Sequence, residues 1–71
     1  MARYRILNSP ANEAILTYLG LRYEKTPNAI IFEGDMERDL WRIASALVVL
    51  GYAHNEAYAF NLARSFFINP V

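Results

Sequence analysis

Two apolar-faced helical segments joined at Leu50-Gly51-Tyr52 fill Asp35 to Phe67 and limit what the rest of the chain can build. With side chains placed at intervals of about 100°, Met36, Leu40, Ile43, Ala44, Leu47 and Leu50 gather on one broad side of the first segment. Trp41 and Val48 sit at its edge, while Arg38, Arg42, Ser45 and Val49 lie opposite. The second segment begins near Asn55-Glu56, and Ala59, Phe60, Leu62, Ala63, Phe66 and Phe67 form its apolar side. Asn69-Pro70 is expected to stop it. The small residues Ala57, Ala59 and Ala63 allow the two helices to approach closely. Such a hairpin leaves one apolar side open, so the preceding residues have to cover it.

Arg3 to Leu7 alternates, with Tyr4 and Ile6 pointing one way and Arg3 and Arg5 the other, which predicts a short strand with one wet face. Ser9-Pro10 is a helix start: Ser9 accepts an orphan amide, and Pro10 loses nothing at the first helical position. Ala11, Ala14, Ile15, Tyr18 and Leu19 then make an apolar stripe that Gly20 terminates. Leu21 to Glu33 reads as a β-hairpin whose return strand is Ala29-Ile30-Ile31-Phe32. Its turn is Thr26-Pro27-Asn28, where Pro27 presets φ and Asn28 tolerates the left-handed region. Pairing of the first strand with the return strand would give the order 1-3-2, with every neighbouring pair antiparallel. Gly34-Asp35 breaks the strand, and Asp35, Glu37 and Asp39 place negative charge where the next helix dipole favours it.

The predicted fold class is α+β in a single domain over 1–71: a small two- or three-stranded antiparallel sheet, one short helix and a C-terminal helical hairpin. Its candidate core is Ile15, Leu19, Ile30, Phe32, Leu40, Ile43, Leu47, Leu50, Phe60, Ala63 and Phe67.

Hydrophobic residues make up 55% of these 71 residues, which is more than so small a domain readily hides. No Cys is present to staple the fold, so the excess favours association with a protein partner or with itself, a homodimer being the simplest form. Seven basic and seven acidic side chains cancel, leaving no net field toward nucleic acid or anionic lipid. Six of the seven basic residues are Arg, a bias that suits bidentate contacts at an interface. No uncharged run is long enough to span a bilayer, and no signal-peptide core stands at the N-terminus. A cytoplasmic protein is expected.

The segment Ala46-Leu47-Val48-Val49-Leu50-Gly51-Tyr52-Ala53-His54-Asn55-Glu56-Ala57 resembles the "AL..LGY...EA" stretch of the RuvA C-terminal domain, of the Holliday-junction protein family. It is similar, more loosely, to ubiquitin-associated domains. In those families a Gly-aromatic loop joins two helices of a three-helix unit that binds proteins. The resemblance covers about a sixth of the chain and implies that Leu50, Gly51 and Tyr52 shape a protein-docking loop. Ala53 departs from the usual Ser or Thr cap, which moves the expected helix start to Asn55, and no third helix follows.

Chemistry-bearing constellations are sparse. His54 is the sole histidine and has no cysteine to join it, so neither a zinc site nor a base with its orienting acid is expected. The acidic run Glu33, Asp35, Glu37 and Asp39 straddles a strand end and a helix cap, which accounts for it without a metal. No phosphate loop or nucleophile elbow occurs, so no cofactor and no catalysis are expected. The reading is a non-catalytic protein–protein interaction module (a small adaptor, an inhibitor of a larger protein, or a homo-oligomer) that uses Trp41, Arg38, Arg42, Val49 and Tyr52. The alternative is a small nucleic-acid-binding domain using Arg3, Arg5, Arg22 and Lys25 on one sheet surface, or a helix-turn-helix over Trp41 to Phe67.

Overall fold

A computed structural model describes residues 2–71. Strand β1 (Ala2–Leu7) leads into helix α1 (Pro10–Leu19), and a hairpin of β2 (Tyr23–Lys25) and β3 (Ala29–Gly34) follows. Helices α2 (Met36–Val49) and α3 (Glu56–Arg64) complete the chain, with a 3-10 turn at Ser65–Phe67. The three strands form an antiparallel sheet in the order β1-β3-β2, with Tyr4 opposite Phe32 and Tyr23 opposite the same residue on the other side. The fold is the α+β arrangement that the alternation and caps predict.

One face of the sheet carries Tyr4, Ile6, Ile30 and Phe32 into the core; Arg3, Arg5 and Leu7 stand on the other, with half-buried Ile31 and Glu33. Phe32 is the centre of an aromatic cluster. Its ring lies 5.7 Å from Tyr4, 6.1 Å from Phe66 and 5.8 Å from Phe67, the two phenylalanines edge-on. Rings so arranged add to the area term through their quadrupoles. Alanines Ala44, Ala59 and Ala63 are buried at the α2–α3 contact, as small residues at a close crossing should be. Ala57 is not among them: it faces solvent.

Several details depart from expectation. On α1 the buried pair is Ile15 and Leu16, while Tyr18 points outward. Asn12 turns toward β1, where its side-chain amide donates to the Leu7 carbonyl at 2.9 Å. Leu50 is not core. It is 37% exposed, because α2 ends at Val49 and the chain reverses through Gly51 at φ 84°. Ala53 fills the position inside, its amide and that of Tyr52 both donating to the Leu47 carbonyl. Leu19, Leu40 and Phe60 are half-buried, and the other core candidates are buried. Asn28 does not enter the left-handed region; the turn is closed by Thr26, whose hydroxyl oxygen accepts from the Ala29 amide at 2.9 Å.

The helical hairpin also stops early. Regular helix ends at Arg64, and Asn69-Pro70 has another role: Asn69 and Val71 hydrogen-bond β1 at Arg5 and Arg3, each at 2.8 Å. The segment thereby covers part of a sheet edge that would otherwise expose unpaired amides.

Gly34 has no room for a side chain where the sheet gives way to α2. A Cβ there would stand 2.9 Å from the Phe32 ring and 3.3 Å from an Asp39 carboxylate oxygen. Gly34→Ala is expected to cost about 1–3 kcal/mol by overpacking, read as a lower urea midpoint with an unchanged far-ultraviolet dichroism spectrum at zero denaturant.

Candidate interaction surface

Helix α2 is set in place by a carboxylate. Asp35 caps it, accepting from the Glu37 amide at 3.0 Å, and Asp39 reaches back to accept from the Asp35 amide at 2.9 Å. The Asp39 side chain is fully buried. Arg38 donates to it twice, through Nε at 3.0 Å and Nη2 at 2.8 Å, and Arg42 donates from Nη1 at 2.7 Å. Arg42 also donates from Nη2 to the Leu19 carbonyl at 3.0 Å. That carbonyl belongs to the end of α1, which has no basic residue in its last turn, so Arg42 supplies the cation from the neighbouring helix. Among the described residues no buried side-chain nitrogen or oxygen lacks a partner.

Burial by itself raises the Asp39 pKa, but the donors outweigh it: Arg38, the Asp35 amide and Arg42 bring it from 3.8 to about 2. Two guanidinium groups share this carboxylate at the surface between α1 and α2. A shallow concavity of about 290 Å³ there is lined by Arg22, Arg38, Arg42 and Glu33 together with the α1 C-terminus. Arg38 and Arg42 are thus brought together as expected, but as anchored groups whose outer faces remain in solvent.

Trp41 is 59% exposed and Val49 65%, with Ser45 between them on the outer side of α2. Trp41 leans on α3, its ring 4.7 Å from that of Phe60. Grooves flank this ridge on both sides. Toward α3, a groove of about 240 Å³ runs from Trp41 past Ser45 to Val48, Glu56 and Ala59. Toward α1, one of about 300 Å³ is bounded by Tyr18, Arg42, Ala46 and Val49. Tyr52 is exposed in the loop beyond α2 and lines neither groove.

The basic set does not form one surface. Arg3, Arg5 and Arg22 share the open sheet face with Glu24 and Glu33, and Arg3 is paired to Glu24 at 2.7 Å. Lys25 pairs across from buried Ile30 and therefore lies on the opposite side, 3.1 Å from Glu13 of α1. Tyr23 joins it there; the Tyr23 hydroxyl and then the Lys25 ammonium hold the Glu13 carboxyl below its ordinary pKa. His54 is exposed in the α2–α3 loop. Among the described residues no three His, Asp or Glu side chains converge, and no helix is long and apolar enough to cross a membrane.

The buried Asp39 was missed because an acidic residue at the fourth position of a helix reads as a solvated partner of the helix dipole. Its signal was the spacing: a cap at i−4 and arginines at i−1 and i+3 all reach one carboxylate on a helix. Comparison with known protein families, with characterised proteins and with solved structures gave no match for this chain.

The depressed pKa fixes a pH dependence. Stability from this carboxylate is complete above its ordinary pKa of 3.8 and is lost as pH falls toward about 2. Asp39→Asn should lower unfolding free energy at pH 7 by about 2 kcal/mol and flatten the acid limb between pH 4 and 2, as measured by urea titrations across that range.

Proposed function

We propose that this chain is a non-catalytic protein-interaction module whose docking surface is the outer side of α2. The observation that carries the reading is the exposure of Trp41 and Val49 on a rigid helix whose inner side is closed around a single core. Trp41 is already oriented by Phe60, so little side-chain freedom remains to be lost on docking. Arg38 and Arg42, held by Asp39, add a polar rim suited to carboxylate recognition. Aromatic anchors beside arginines are the residue types that dominate binding energy at protein interfaces. The resemblance of Ala46–Ala57 to protein-binding helical units supports the same reading, with Tyr52 at the end of the surface.

Nucleic-acid binding through the sheet is the weaker reading. The three arginines of the open face are interleaved with two carboxylates, which leaves little counterion release to drive association.

The test is sedimentation of the purified protein together with affinity capture from its host, each repeated with Trp41→Ala. The expected result is a complex that Trp41→Ala weakens about 10- to 100-fold with helicity retained and the thermal midpoint lowered only by the loss of the one ring contact with Phe60. A protein that stays monomeric and recovers nothing in a Trp41-dependent way would overturn the reading; a salt-sensitive gel shift would replace it with the nucleic-acid one.

A further inference from the structure

We infer that the occupant of this surface is a second copy of the chain, with its α2 antiparallel to the first about a two-fold axis at Ser45. This rests on the interaction reading above and names its partner. A two-fold interface needs a patch complementary to itself, so that residue i meets j and j meets i. Ser45 lies four residues after Trp41 and four before Val49, all on the outer side of α2. Reversing the helix about Ser45 brings Trp41 of each copy to the level of Val48 and Val49 of the other. That level is the open end of the α2–α3 groove, the end not already filled by the molecule's own Trp41.

The polar groups at the two ends of the groove match as well. The indole N–H of Trp41 donates to no residue among those described, and the carboxylate of Glu56, at the Val48 end, accepts from none. An indole entering an apolar groove needs an acceptor. The antiparallel arrangement provides one twice, Trp41 of each copy donating to Glu56 of the other. On the α1 side, Val49 comes to lie against the aliphatic stem of Arg42 of the facing helix. Ser45 at the axis is small, which lets the two helix backbones approach closely. The charged α1–α2 concavity stays at the rim.

The available area is that of a small interface. A standard interface covers about 800 Å² per partner, roughly a sixth of this chain's 4538 Å². Tyr18, Trp41, Val48 and Val49 at their observed exposures supply about half of that, given aromatic side chains of 150–250 Å². With Arg42, Ser45 and Glu56 the patch reaches the lower range of specific interfaces, the size class of transient dimers.

The chain has no cysteine and one tryptophan, which makes both halves of the proposal readable. Ser45→Cys should give a covalent dimer with a short bis-maleimide above the dissociation constant, whereas Glu24→Cys on the open sheet face should not. Trp41 emission in the unmodified protein should shift to the blue as concentration rises through the same range. Glu56→Ala should weaken dimerisation about 10-fold in sedimentation. Cross-linking at Glu24→Cys instead of Ser45→Cys, or a dimer whose Trp41 emission stays red, overturns the inference. A monomer at all concentrations that still captures another protein through Trp41 also overturns it, while leaving the interaction reading intact. A monomer that captures nothing overturns both.

Discussion

The buried Asp39 carboxylate is the interaction on which the rest of the arrangement depends. It joins three things that otherwise have no fixed relation: the first turn of α2, the end of α1, and the Gly34 step where the sheet gives way to helix. A charge enclosed in so small a core would be a liability if it were incompletely bonded. Here both oxygens are occupied by charged donors and a backbone amide, which together outweigh the desolvation of the buried charge. The two arginines reach it from outside. Their stems close over the site and their outer edges stay hydrated, so the ion cluster needs no further burial.

Around that anchor the apolar residues divide by size. Alanines occupy the α2–α3 contact and let the helices lie close, while Phe32, Phe66 and Phe67 fill the wider space over the sheet. A chain of 71 residues has only one such space. The large side chains for which it has no room, Trp41 and Val49 among them, therefore remain on the surface.

Short-range signals in the sequence were sufficient for most of the architecture. Ser9, Asp35 and Asn55 each cap the helix they precede, the alternation of Arg3 to Leu7 puts Ile6 on the core face, and the apolar run Ala29 to Phe32 supplies the return strand that carries Ile30 and Phe32 there. The antiparallel 1-3-2 order follows once both edge strands seek the one apolar strand between them. What escaped was decided by side-chain bonds and a chain reversal. Asn12 of α1 bonded a strand carbonyl, Leu50 was released by the turn at Gly51, and Lys25 took the helix side to reach Glu13. In each case a polar bond or a backbone reversal overrode a periodic pattern that was locally sound. The candidate surface was legible as an oddity, an apolar Val and a Trp beside two arginines. The carboxylate that organises it was not, because an acidic residue in the first turns of a helix reads as a solvated partner of the dipole until that side of α2 is packed inward.

The exposure of Trp41 and the burial of Asp39 are one fact seen from two sides. Residues two apart on an α-helix point about 200° away from each other, so a helix rotated to enclose position 39 sends position 41 outward. Ser45 and Val49 follow Trp41 at steps of four and extend the same outer line. Rotating α2 to hide the indole would pull the carboxylate away from Gly34 and the α1 terminus and lift Ile43 and Leu47 out of the core. The polar cluster is therefore what keeps the aromatic ridge turned to solvent and fixed in direction. A surface held that firmly, with Trp41 braced on Phe60, has little side-chain freedom left to lose on any contact.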